Sequence, residues 1–334
     1  MSLIDFIAKA ILRKSQKRES TLAPNDWRSS RPHLFFLSRF LCSQDVSNMV
    51  GHHWDHPLKE PPIAAIARFR EHGILIPAAV VTILSSQFKI TDLKSLLKER
   101  GLRVSGSKEQ LAERLIEADP SGMARLTAHF DVLECSPEAR LVAETILADE
   151  EAERQAAVRD SFAHLRTRNF HAAAASVAHF ESNRVFPRGI GIDWAKPNVG
   201  DVEFLRILFE SRPKILGELS EAEWLQLRLA AAMMNLWGSA NANAWLPSDF
   251  RGVSRFDNST AARMIVFHSS HLQELAAFRA AGIKRVSISR DREGSCSSCR
   301  SLPKRSLLLD EVPELPYAEC THPMGCRCEA VAKV

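Results

Sequence analysis

The chain has 334 residues, 45% of them hydrophobic and 25% charged, which is a globular composition with material for two or three domains. That excludes disordered and collagen-like chains. The formal net charge of +4 is only mildly basic and does not by itself identify a nucleic-acid binder.

The N-terminal segment predicts a helix with Leu3, Ile4, Ile7 and Ile11 packed inward and Lys9, Arg13, Lys14, Lys17 and Arg18 on a solvated face. Basic residues follow the apolar ones, the reverse of a secretory leader, so a cytoplasmic location is expected. A Pro-containing connection leads to a helical stretch over 32–50 and a His-rich turn over 51–56, read as solvated. Residues 61–84 predict two short helices separated at Gly73. The apolar run 74–84 contains Pro77, and the uncharged run 229–248 contains Asn235, Gly238, Asn241, Asn243 and Pro247, so no membrane partner is expected.

Residues 91–120 read TDLKSLLKERGLRVSGSKEQLAERLIEADP. Leu93, Leu96 and Leu97 share one helical face, and Gly101 supplies a left-handed stop. Leu102 and Val104 then turn inward on an extended loop. Ser107 and Gln110 form a capping box for a second helix with an apolar stripe of Leu111, Leu115 and Ile116. This helix–extended loop–helix resembles the SAP family over residues 88–120. The resemblance implies DNA binding through the turn and the start of the second helix, which places Arg103, Ser105, Gly106, Ser107 and Lys108 near phosphates. Lys94, Lys98, Arg100 and Arg114 would enlarge the patch. Seven basic and six acidic side chains over 88–119 leave almost no net charge, so a protein-docking or structural role stays open. Thirty residues bury little core, and residues 63–84 are expected to pack against the module.

Residues 137–180 predict a helical hairpin broken at 167–169, with His164, His171 and His179 as surface or packing residues. The loop 185–194, VFPRGIGIDW, is expected to be ordered. Further helices are expected over 203–210, 221–237 and 259–281, with Leu225, Leu229, Ala232, Met233 and Leu236 in the core. There is no GxGxxG, Walker A or GxSxG motif.

Cysteine usage is uneven. Of seven cysteines, Cys42 and Cys135 stand alone, while Cys296, Cys299, Cys320, Cys326 and Cys328 crowd the C-terminal segment with His322 among them. A C-x2-C knuckle followed by a returning Cys cluster points to a structural Zn2+ site. The set expected is Cys296, Cys299 and Cys320 with Cys326 or Cys328, and His322 in reserve. Strands are expected over 286–289 and 307–309. This segment resembles the end of phage head morphogenesis proteins of the Mu F-like type, with HPMGCRC departing by an insertion from the commoner HPxCRC. The thiolate surplus favours a closed site over a catalytic one. A nuclease would need a His-rich site that the sequence does not show, and the nearby acids Glu293, Asp310, Glu311 and Glu314 have no preferred pairing. No catalytic residue is assigned, and an enzyme is not the favoured reading.

The expectation is therefore a mainly α protein of four segments: 1–60, basic helix and connection; 61–120, ending in the SAP-like module; 121–282, a helical domain open to protein partners; and 283–334, a small β-containing, zinc-bound cap. Its expected partner is double-stranded DNA. A prophage assembly protein and a DNA-processing enzyme such as a nuclease are the alternatives.

Overall fold

The structure, a computed structural model, describes residues 27–217, 219–290 and 295–333. The expected basic helix carrying Lys9, Arg13, Lys14, Lys17 and Arg18 lies outside the described residues, as does Glu293. The described chain is mainly helical, with two small antiparallel sheets. No helix among the described residues is long and apolar enough to cross a membrane. The chain divides into two compact units, unit 1 over Met1–Ala152 and unit 2 over Glu153–Val334.

Unit 1 begins with α1 (Arg31–Ser38), α2 (Asp55–Leu58) and α3 (Pro62–Glu71). The helical stretch expected over 32–50 stops at Leu41. The strand β1 (Gln44–Asp45) interrupts it and pairs with β3 (Val132–Cys135), which in turn pairs with β2 (Leu75–Pro77). The residues of this sheet are too few for a visible period of two. The His-rich turn is less solvated than expected: His52 is exposed, but Trp54 is buried, 4.7 Å from the Phe36 ring.

The four helices α4 (Val80–Gln87), α5 (Ile90–Glu99), α6 (Lys108–Ala118) and α7 (Pro120–Thr127) share one core of Leu84, Leu93, Leu97, Leu111, Leu115 and Met123. Leu96, Leu102, Val104 and Ile116 pack on it from the partly buried rim, as their spacing predicts. Of the expected flank over 63–84, only its end joins this core: Ile63 is half exposed at 51%, and Ile66 and Phe69 are buried elsewhere.

The helices α8 (Pro137–Arg166) and α9 (Phe170–Ser182) are separated by a break at 167–169, where it is expected. Unit 2 is built on α9, α10 (Val199–Glu210), α11 (Glu221–Trp237) and α12 (Asn258–Ala280). Leu229, Ala232, Met233 and Leu236 are buried, whereas Leu225 is 46% exposed, because it falls off the inward stripe of α11. The 185–194 loop is tied by Arg188, which donates from Nε to buried Glu181 at 2.6 Å and from Nη2 to the Leu236 carbonyl at 2.8 Å. Trp194 donates back to the Arg188 carbonyl at 2.7 Å.

The C-terminal part of unit 2 is a sheet of β5 (Leu307–Leu308), β4 (Arg285–Ser289) and β6 (Glu329–Ala332), with the short helix α13 (Ser297–Ser301) between β4 and β5. β4 and β5 match the expected pair; β6 follows directly on Cys328 and had no alternation to announce it. Val286, Leu307, Leu315 and the buried cysteines belong to the same apolar core as the helices of the unit.

Candidate metal centre and nucleic-acid interface

Cys296 is the N-cap of α13, and its Sγ accepts from the Cys299 backbone N–H at 3.4 Å. A helix start leaves such N–H groups without intrahelical acceptors, which is why the C-x2-C spacing sits naturally there. The Thr321 N–H, 3.4 Å away on the returning segment, donates to the same sulfur. Burial pushes the Cys296 thiol up, but these donors together outweigh it and bring it down to about 6.

The returning segment delivers the remaining thiols. Cys296 Sγ lies 3.7 Å from Cys320 Sγ, and Cys299 Sγ lies 3.8 Å from Cys326 Sγ. Two triads, Cys296–Cys299–Cys320 and Cys299–Cys326–Cys328, each have all sulfurs within 4.8 Å of one another. A tetrahedral ion with Zn–S bonds of about 2.3 Å has S···S edges of about 3.8 Å. Each of the two separations matches one such edge, and the five sulfurs fall into two triads that share Cys299. Burial and the charge of Cys326 push Cys299 up to about 12, and hydrogen bonding to Cys326 with burial raises Cys320 and Cys328. Cys326 is the thiol that this donation lowers. The cluster of soft, closely spaced sulfurs could hold a metal ion.

His322 stands apart. Its Nδ1 accepts from the Met324 N–H at 3.1 Å and closes its own turn. In that turn Gly325 adopts φ 79°, and a Cβ there would meet the Met264 side chain at 2.5 Å. The Cys326 N–H donates to Met264 Sδ at 3.3 Å. Arg255 binds the Ala318 and Cys320 carbonyls, and His268 Nδ1 lies 2.9 Å from the Leu315 carbonyl. Sequence reasoning passed over Arg255, Met264 and His268, because side chains that act on backbone leave no motif. Cys326 and Cys328 also line a cleft of about 430 Å³ with Arg263, His271 and Glu274. Burial, and then His268, push His271 down to about 4, so it is neutral at pH 7. Asp310 faces Arg279, and Glu314 binds Lys214 and its backbone N–H, so these acids are spread over separate contacts.

In the SAP-like module, Ser107 Oγ accepts from the Gln110 N–H at 3.3 Å and Gln110 Oε1 accepts from the Ser107 N–H at 3.0 Å, the reciprocal capping box expected. Gly101 has φ 67° and ends α5. Arg114 Nη1 donates to the carbonyls of Arg103 and Ser105 at 2.5 and 3.2 Å. It clamps the loop. Arg100 likewise bridges to Asp119 at 2.9 Å. Arg103 Nε donates to Ser105 Oγ at 2.5 Å. Arg103, Ser105, Gly106 and Ser107 are exposed on the loop, with Lys108 half-buried on the first turn of α6. Lys94 and Lys98 lie one turn apart on α5, and Glu109, Glu113 and Glu117 form an exposed acidic row along α6.

The SAP domain family model matches residues 85–120, beginning inside α4. No curated protein and no solved structure matches the chain. A SAP domain suggests nucleic-acid binding.

Proposed function

We propose that the protein binds double-stranded DNA through its SAP module and carries one structural Zn2+ in unit 2. The observation that carries the first part is the reciprocal Ser107–Gln110 cap, which presents Lys108 and the exposed 103–107 loop at one helix start. Phosphates are favoured there by the helix dipole and by Lys108, Arg103, Lys94 and Lys98. The row Glu109, Glu113 and Glu117 repels phosphate, so the duplex approaches over the loop and α5 rather than along α6. Arg114 serves by holding the loop open. Binding of this kind reads backbone and carries little sequence preference.

The test is a salt titration of duplex binding followed by fluorescence anisotropy. Lys108→Ala with Arg103→Ala is expected to weaken binding and to reduce the salt slope by about 1 per lost contact. Unchanged affinity and slope in that double variant overturn this reading of the module.

For the metal, the disjoint 3.7 and 3.8 Å sulfur pairs support Cys296, Cys299, Cys320 and Cys326 as the ligands, with Cys328 beside them. Zinc supplies a closed fourfold cross-link here. The Mu F-like arrangement of the tail, CxxC then CRC, supports a second reading as a phage head assembly protein, with portal or capsid subunits as partners. Co-purification with such subunits tests it. A cytoplasmic location belongs to the same proposals.

A further inference from the structure

Unit 1 holds a second cluster, outside the SAP module. Ser30 directly precedes α1 in the N-cap position, yet its hydroxyl makes no cap hydrogen bond. Its Oγ lies 2.7 Å from His33 Nδ1 instead. Across the ring, His33 Nε2 lies 2.6 Å from Glu60 Oε1. Arg68 donates to the same carboxylate oxygen, with its Nη2 also 3.2 Å from His33 Nε2.

The proton positions follow from these partners. Burial pushes the Glu60 carboxyl up, but hydrogen bonds from His33 and Arg68 outweigh it and hold Glu60 below its ordinary range. An ionised carboxylate only accepts, so His33 Nε2 carries the proton and donates it. In the neutral imidazole the lone pair is then on Nδ1, and Ser30 donates its hydroxyl hydrogen there. Hydroxyl, imidazole and carboxylate thus stand in the order of nucleophile, base and orienting acid. The two ring nitrogens are exchanged relative to the common hydrolase arrangement, which leaves the relay intact.

Three further observations mark the place as a site. Trp27, Ser30, Pro32, His33, Leu58 and Glu60 line one cleft of about 430 Å³. Trp27 is 4% exposed, and its indole N–H has no acceptor among the described residues. Lys59, at the same cleft, holds φ 57°, a left-handed conformation that a non-glycine residue adopts only at a cost.

We propose that Ser30, His33 and Glu60 form an acyl-transfer site that hydrolyses short-chain esters. Ser30 Oγ attacks the ester carbonyl carbon, and its proton passes to His33 Nδ1. The tetrahedral adduct collapses, the bond to the alcohol oxygen breaks, and the leaving alcohol takes that proton. Water then attacks the acyl-serine, gives one proton to Nδ1, and releases the carboxylic acid as Ser30 recovers its hydrogen. Ser30 and His33 are the catalytic residues; Glu60 and Arg68 act through His33 and are positioning residues. The apolar walls from Trp27, Pro32 and Leu58 and the cleft volume select a short acyl chain.

The test uses the purified full chain with a fluorophosphonate probe, which forms an Oγ–P bond as fluoride leaves, and with p-nitrophenyl acetate and butyrate. One label per chain is expected, placed on Ser30 by peptide mass spectrometry, together with ester hydrolysis above the buffer rate. Ser30→Ala is expected to remove both while the chain keeps a cooperative unfolding transition, because Ser30 does not cap its helix, and unchanged DNA binding. His33→Asn is expected to slow hydrolysis by at least about 100-fold. Glu60→Gln is expected to lower kcat more than it changes KM, with partial rescue in Glu60→Asp; a purely structural role would move stability without that split. A wild-type chain that takes no label and hydrolyses neither ester overturns the proposal, whatever the variants do. So does a Ser30→Ala chain that hydrolyses at the wild-type rate.

Discussion

Cys299 and Cys326, 27 residues apart in the chain, hold their sulfurs 3.8 Å apart. Cys299 also belongs to both thiol triads, while Cys328 belongs to one. The proposed zinc therefore depends unequally on the five cysteines. Metal analysis of protein purified under reducing conditions is expected to find one zinc per chain in wild type and in Cys328→Ser, and none in Cys299→Ser. Binding energies for structural zinc are about 10–16 kcal/mol, and the cysteines share a core with α9–α12, so loss of the ion is expected to lower the melting temperature of unit 2 by more than about 10 °C. Full zinc content in Cys299→Ser would refute the ligand set.

Arg114 and Lys108 are both basic residues of α6, but their contacts predict opposite outcomes. Lys108→Ala is expected to reduce duplex affinity and leave thermal stability within about 0.5 kcal/mol of wild type. Arg114→Ala removes the hydrogen bonds to the Arg103 and Ser105 carbonyls, so it is expected to lower stability by about 1–2 kcal/mol as well as affinity. Paired denaturation and anisotropy measurements distinguish the two. Equal stability losses would contradict the assigned roles.

Gly106 holds φ 130°, and a Cβ at this position would meet Gln110 Oε1 at 2.6 Å. Gly106→Ala therefore strains the backbone and displaces the group that accepts from the Ser107 N–H. A loss of about 1–2 kcal/mol is expected in urea denaturation of the chain. Gly101→Ala, whose Cβ would meet nothing within 4 Å, carries the φ penalty alone and is expected to cost less. Reversal of that order would show that the cap does not organise the loop.

Acid is expected to loosen the SAP module. Hydrogen bonds from Arg100, and then from the Gly122 N–H, lower the folded-state pKa of Asp119. A carboxylate lowered on folding contributes stability that is present above its unfolded value, near pH 4, and is lost as pH falls through the folded value. Asp119→Asn is expected to flatten this part of the stability profile below about pH 4 and to change little of its slope above pH 5. Melting curves measured from pH 2 to 7 check it.

The SAP module was legible because each of its devices is local. Leu93 with Leu97 and Leu111 with Leu115 recur at helical spacing, and Ser107 and Gln110 lie three residues apart. The helix break at 167–169 and the C-x2-C knuckle were legible for the same reason. The sequence by itself therefore determined the helices, the capped loop and the presence of a thiol cluster. Only the tertiary structure decided what depends on residues far apart in the chain. β1, β2 and β3 are two to four residues long and exist because their partners meet across the unit, not through any period of their own. The carbonyl acceptors of Arg114 and the turn that His322 Nδ1 closes are likewise set by backbone geometry that no motif announces. Ser30 and His33 are neighbours on paper, but Glu60 reaches the same imidazole only after the chain has passed through α2, so a hydroxyl–imidazole–carboxylate relay is a property of the fold.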